Sequence, residues 1–402
     1  MTLTFRVRAF LIPLLSLLYS TAMAQTPAVQ IPPAKPDPQQ HEFVLHNFKT
    51  ESGAVLPEAR IVYGTYGTLN AAHDNAILLP SHYMANLHGY EWLIKSDANP
   101  TQALDTSKLF LITSELFGNG RSSSPSNTPK PFDGPRFPVM TIRDNVNAVH
   151  QLLTEELKIQ HLRAVIGFSM GAQQAFQWAV SYPTYMDRIV ATSGTAKTYG
   201  HGIVRLEGQI AAIAADQTFN GGDYTAEPTK GIEAFGMVWA GWLYSQEWWR
   251  KELWRSNPNA TFEATVDRFR HRFIPGADAN NLILQCRTWE SNNVGKTALS
   301  DGKQADFGGD VEKALASIKA PVLYMPSATD LYFPLEDAQY ESRFIPHVQL
   351  LPIPSLWGHP AGAGASPADK KFLNENIARF LAGETVAALL PEPATDRPRD
   401  DE

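Results

Sequence analysis

The sequence predicts an α/β fold: a mostly parallel sheet of the eight-stranded type, helices on both faces, and an inserted helical cap. Three observations predict it. Short apolar runs alternate with amphipathic helical patterns over most of the chain. One of those runs passes directly into Gly167-Phe168-Ser169-Met170-Gly171 and then into a further helical pattern. Between Ser193 and Val322 the alternation stops. A long helical stretch crowded with Trp239, Trp242, Trp248, Trp249 and Trp254 replaces it.

The first residues read as a targeting signal. Arg6 and Arg8 supply a positive start, residues 9–19 form an apolar core interrupted by Pro13, and Ala22-Met23-Ala24 completes an A-x-A pattern. Cleavage is expected after Ala24, which directs the mature chain to the periplasm or the medium. The apolar core is too short to span a bilayer and nothing comparable follows, so no membrane anchor is expected once the signal is removed. Residues 25–40, rich in proline and glutamine, predict a flexible linker. Residues 387–402, ending in PEPATDRPRDDE, predict a disordered tail.

The elements between follow in order. Runs at 41–48 and 60–67 predict an opening antiparallel pair, and the wholly apolar AILL at 76–79 a buried strand before the loop Pro80-Ser81-His82-Tyr83-Met84. LFLIT at 109–113 is another buried strand, running into a Gly/Ser/Pro-rich loop at 117–129. Val146, Val149, Leu152, Leu153 and Leu157 share one face of a helix predicted over 142–157. Strands follow at 164–166, 188–193, 322–326 and 348–352, and a helix at 367–381 closes the fold. The core is thus expected over 41–195 and 319–386, with the cap at 196–318 lying over the carboxyl ends of the strands, where open α/β sheets bind ligands. The tryptophans of that cap suit a substrate with an apolar portion or simply the packing of the cap itself.

Composition narrows the function. At 402 residues and 44% hydrophobic, the chain suffices for one large domain with an insertion, or for two domains. A net charge of −7 without a long basic run excludes nucleic acid as a partner. Cys286 is the only cysteine, so an internal disulfide is excluded and the core alone must hold the fold. No His/Cys/Asp/Glu cluster has metal-ligand spacing and no phosphate-cradling motif is present, so no cofactor is expected.

The chemistry centres on Ser169. Strand, G-x-S-x-G, helix is the context of a nucleophile elbow, in which the serine sits on a turn too tight for side chains at Gly167 and Gly171. A serine hydroxyl needs a base to take its proton and a carboxylate to hold that base, and in elbow enzymes the chain order is Ser, Asp or Glu, His. Asp330, past the strand at 322–326, and His359, past the strand at 348–352, fill those places. Glu336 and Asp337 are rivals, but they suit the start of a helix. His347 precedes its strand, at the wrong end for the site. Met170 offers a main-chain N–H to an oxyanion, and Tyr83 or Met84 offers the second. His82 lines the pocket or caps its strand. Arg121, in the 117–129 loop, recognises an acidic group or pairs on the surface.

Longer phrases carry a family resemblance. RIVYGTYGTLN, FPVMTIRDNVNAVHQLL, VIGFSMGAQQAFQWA, GGDY, GIEAFGMVWAGWLYS, DANN, and ATDLYFP with WGH are ordered and spread between Leu56 and Leu381. Over that span the chain resembles the homoserine O-acetyltransferase branch of the α/β-hydrolase superfamily. The resemblance implies an α/β-hydrolase core with a helical cap, a ping-pong acyl-enzyme on Ser169 completed by Asp330 and His359, and a homodimer joined through the cap. Two substrate-binding columns depart from the family. Its cap arginine, which holds the amino-acid carboxylate, is Gly236 here, and the aspartate after its catalytic histidine is Pro360. Each lost charge-assisted hydrogen bond costs about 1.5–3 kcal/mol. An exported chain is also separated from cytoplasmic acetyl-CoA. The reading is therefore a serine hydrolase that cleaves an ester or related acyl bond of a small molecule. Acyl transfer to homoserine or another alcohol is the alternative. A non-catalytic binding protein on the same scaffold comes third, disfavoured by the complete triad.

Overall fold

The chain folds first as an antiparallel pair, β1 (Gln39–Lys49) and β2 (Val55–Tyr66), and then as alternating strands and helices. In order these are β3 (Ala76–Pro80), β4 (Phe110–Ser114), α1 (Ile142–Gln151), β5 (Ala164–Phe168), α2 (Met170–Ser181) and β6 (Ile189–Thr192). A helical insertion follows: α3 (Gly200–Ala214), α4 (Thr229–Leu243), α5 (Gln246–Arg250), α6 (Phe262–Arg270), α7 (Ala279–Glu290) and α8 (Val311–Ala316). Then β7 (Val322–Met325), α9 (Leu335–Ser342), β8 (Val348–Leu350) and α10 (Pro367–Leu381) complete the fold. This is a computed structural model, described over residues 36–97, 99–256, 260–296 and 307–387. The predicted signal, most of the predicted linker and the tail from 388 onward lie outside those residues.

The strands form one sheet in the order β1-β2-β4-β3-β5-β6-β7-β8, parallel from β4 to β8 and antiparallel at the β1 side. This is the mostly parallel eight-stranded α/β sheet that the sequence predicts. Strands β3 to β7 are buried at every position because helices and loops cover both faces, which is why they read as unbroken apolar runs. β1, at the edge, is mostly exposed and buries only Leu45 and Phe48. The chain leaves β3 for β4 on one side and returns to β5 on the other, so β3 and β5 flank a topological switch point.

Two boundaries differ from the sequence reading. β1 begins at Gln39, two residues inside the predicted linker, because Gln39 and Gln40 pair with Thr65 and Gly64. The helix predicted over 142–157 is α-helical only to Gln151, then widens into a π turn through Glu156. Its start is firmly set: Thr141 and Asp144 form a reciprocal capping box, and Asp144 also accepts the N–H of Glu51. α2 is buried along its whole length, and its polar residues find partners there. Gln173 donates to Thr198, Gln174 to the carbonyl of Ser81, and Gln177 to Ser181. Those bonds give each of the three amide N–H₂ groups an acceptor under the serine, while Gln173 Oε1 stays buried without a partner.

Candidate active site

Ser169 lies between the last residue of β5 and the first of α2, with φ 58° and ψ −125°. Such a conformation is sparsely populated for a residue with a side chain, and the flanking glycines make it sterically feasible. A Cβ on Gly167 would fall 1.9 Å from the carbonyl oxygen of Gly171, and one on Gly171 2.4 Å from that of Pro80. The backbone therefore folds back on itself around the serine, as the sequence pattern requires.

His359 and Asp330 meet Ser169 there. His359 Nε2 is 2.9 Å from Ser169 Oγ, and His359 Nδ1 is 2.8 Å from Asp330 Oδ2. Asp330 Oδ1 accepts the main-chain N–H groups of Tyr332 and Phe333 at 2.8 and 3.3 Å. The loops carrying the acid and the histidine are stitched together. Ala328 N–H donates to the carbonyl of Ile353, Thr329 Oγ1 to that of Ser355, and Gly358 N–H to Thr329 Oγ1. Ser245, which caps α5, donates to the carbonyl of Leu356 and so ties the helical insertion to the histidine loop. All three side chains are buried, and rings of Phe168, Tyr332 and Phe333 lie 4.9, 4.7 and 5.7 Å from the imidazole.

The donors proposed for an oxyanion separate. Met170 opens α2, so its N–H has no intrahelical acceptor. Met84 N–H is committed to Gln285 Oε1 at 2.6 Å. Of the two loop residues left open by the sequence, that leaves Tyr83. Its main-chain N–H is untouched by the loop's own bonds, from Ser81 N–H to the carbonyl of Ser114 and from Ala85 N–H to that of His82. The Tyr83 hydroxyl donates to the carbonyl of Leu282, which anchors this loop on α7.

The structure sorts the remaining predicted residues. His82 packs edge-on to Phe168 at 4.9 Å, beside the histidine of the triad. Burial first, then nearby His359 and Arg272, push its pKa down to about 3, so the ring is neutral around pH 7. Gly236 is a point of close contact between α4 and α6. A Cβ there would fall 2.3 Å from the carbonyl oxygen of Phe269 on α6, so no side chain fits. Pro360 is the second residue of the short 3-10 turn at His359–Ala363 and offers no N–H of its own. Glu336 and Asp337 lie in the first turn of α9, and His347 precedes β8 at the opposite end of the sheet from the site. Arg121, itself partly exposed, pairs with the buried carboxylate of Glu115 at 3.1 Å and donates to Gln40. Among the described residues, no group of three or more His, Cys, Asp or Glu side chains is placed to hold a metal.

Sequence reasoning missed Arg205 and Gln209 on α3, both buried. The signal was an arginine inside an otherwise apolar amphipathic stretch. It also missed Gln285, whose amide spans the insertion and the core by accepting from Met84 and donating to the carbonyl of Phe117.

The family described as alpha/beta hydrolase fold matches residues 98–362. The chain is 34% identical over 334 residues to the ethyl acetate hydrolase of Pseudomonas veronii, covering 83% of this chain and 92% of that one. It is 30% identical over 332 residues to the homoserine O-acetyltransferase of Trichormus variabilis, covering 78% and 87%. The crystal structure of an acetylester hydrolase from Corynebacterium glutamicum aligns with a TM-score of 0.79 at 30% identity, over 86% of this chain and 96% of that one.

Proposed function

This chain belongs to the alpha/beta hydrolase fold family, and from that premise we propose that it is an exported serine esterase acting through an acyl-enzyme on Ser169. The observation that carries the reading is the unbroken chain of contacts from Ser169 Oγ to His359 to Asp330. As Oγ attacks the ester carbonyl, His359 Nε2 takes its proton, and the Asp330 carboxylate steadies the imidazolium. Main-chain N–H groups of Met170 and Tyr83 stabilise the tetrahedral oxyanion. Collapse breaks the ester C–O bond, and the departing alcohol takes the proton from His359. Water then attacks the acyl-enzyme with His359 again as base, releasing the acid and restoring the serine. The relatives' names point to a short acyl group, and the closed aromatic surroundings of His359 suit one.

Water is favoured over an amino-acid acceptor because no side chain fits at Gly236 and Pro360 carries no charge. Removal of a signal at Ala24 would also place the enzyme away from acetyl-CoA. Acyl transfer remains the second reading because of the homoserine O-acetyltransferase relatives. The test incubates residues 25–402 with p-nitrophenyl acetate and butyrate, with and without an alcohol, and separately with acetyl-CoA and homoserine. Free acid released without an acceptor, and an acyl adduct on Ser169 by mass spectrometry, are the expected results. Turnover confined to acetyl-CoA with homoserine would overturn the esterase reading.

A further inference from the structure

The chemistry above leaves one buried charge unused. Arg205 on α3 is 3% exposed, and its guanidinium lies over two rings, 4.4 Å from the centre of Trp289 and 4.1 Å from that of Tyr332. Nη1 donates to Gln209 Oε1 at 2.5 Å, one turn further along the helix, while Nε and Nη2 have no acceptor. Asp330, whose field reaches it, is already engaged by His359 and by two main-chain N–H groups. The ring faces supply some cation–π attraction, but they accept no strong hydrogen bond from the guanidinium edge.

The neighbours deepen the imbalance. Gln209 Nε2, Trp239 Nε1 and Trp289 Nε1 are buried without acceptors as well. Trp239 and Trp289 pack on Tyr332 at 5.5 and 5.6 Å and Gln209 is bonded to Arg205, so the five unmatched donor nitrogens belong to side chains linked through Tyr332 and Arg205. The Tyr332 ring is itself 4.7 Å from His359. Buried donors without acceptors are costly, and a buried guanidinium without a counter-charge more so. A planar acceptor carrying negative charge would answer the charge and the two free nitrogens of Arg205 together, because the fork of an arginine matches a carboxylate best.

We propose that Arg205 is a specificity-determining residue for a carboxylate: the ester substrate carries a free carboxylate to which Arg205 Nε and Nη2 donate. Gln209, bonded to the guanidinium, and the indoles of Trp239 and Trp289, packed on Tyr332, are its neighbours. The charge comes from α3, whereas the arginine column of the resembling acetyltransferases falls on α4 at Gly236. Only the assignment of this place to the substrate rests on the reading of Ser169. The recognition of the carboxylate does not.

Binding is tested apart from catalysis. Calorimetric titration of the unmodified enzyme and of Arg205→Met uses butyrate and its neutral counterpart butyramide. Butyrate is expected to bind at least about tenfold more tightly than butyramide, and Arg205→Met to abolish the difference. Should Arg205→Met fail to fold, Arg205→Lys keeps the charge but loses the fork, and about a tenfold weakening is expected there. Equal binding of the two probes, or butyrate affinity unchanged in a folded Arg205 variant, overturns the proposal. In the activity arm, monoethyl succinate is compared with diethyl succinate, and 4-acetoxybutyrate with its methyl ester. At least one charged ester should show a tenfold advantage in kcat/KM that falls within threefold in the variant. An equal loss for charged and neutral esters makes Arg205 a packing residue and ends the proposal. Failure of every ester to react, with butyrate still bound through Arg205, would count against the esterase reading alone.

Discussion

His359 Nδ1 stands 2.8 Å from one oxygen of Asp330, while the other oxygen accepts the N–H of Tyr332 at the same distance. The loop's own backbone thus fixes the carboxylate and presents its free edge to the imidazole. With the proton held on Nδ1, Nε2 is left as an acceptor for the Ser169 hydroxyl.

Asp330→Asn keeps the shape but offers an amide that can face Nδ1 with its N–H₂, turning the imidazole into the wrong tautomer. We expect kcat for p-nitrophenyl acetate to fall on the order of 10⁴-fold, as in other serine triads, with KM little changed. A loss below about tenfold in steady-state kinetics would remove Asp330 from the mechanism.

Much of this site was legible because its chemistry is tied to local pattern. The glycines flanking Ser169 are demanded by backbone clashes of 1.9 and 2.4 Å, so a short motif carries the turn. Asp330 and His359 each follow an apolar strand, and parallel strands in one sheet deliver their following loops to one edge. Arg205 and Gln285 were hidden for the opposite reason. Their partners come from elements far away in sequence, such as Tyr332 for the first and Met84 for the second. The role of Gly236 was likewise invisible, because only the packing of α4 on the backbone of α6 defines it.

Gly236→Arg tests that packing directly. Restoring the family's arginine at this column should not create homoserine acetylation, because the first side-chain carbon meets the Phe269 carbonyl oxygen. We expect a loss of about 3 kcal/mol or more in urea unfolding, toward the severe end for an overpacked contact. Homoserine turnover by a stable Gly236→Arg protein would show that α4 and α6 separate readily.

His82 makes stability depend on pH. Its ring is held neutral in the folded chain down to about pH 3, whereas in the unfolded chain it takes a proton near 6.5. The unfolded state therefore binds the extra proton between those values, and stability falls as pH drops from 6.5 toward 3. The slope from this one group approaches about 1.4 kcal/mol per pH unit. Urea midpoints at pH 7, 6, 5 and 4 should show the gap between the parent chain and His82→Gln moving in favour of the variant as pH falls. A gap independent of pH would show that His82 takes its proton in the folded state too.

Ser169 itself sits at φ 58°, in a conformation that costs a residue with a side chain about 1–3 kcal/mol. Its main-chain N–H donates to the carbonyl of Thr192, so the strained backbone is pinned in place. Glycine adopts this conformation freely but gains entropy in the unfolded chain, which returns part of the benefit. Ser169→Gly and Ser169→Ala should both lose hydrolysis by several orders of magnitude. Only the glycine variant relieves the backbone, so it is expected to be more stable than the alanine variant by about 1 kcal/mol in urea unfolding. Equal midpoints for the two inactive variants would mean that the turn stores no more strain than glycine's unfolded-state entropy offsets.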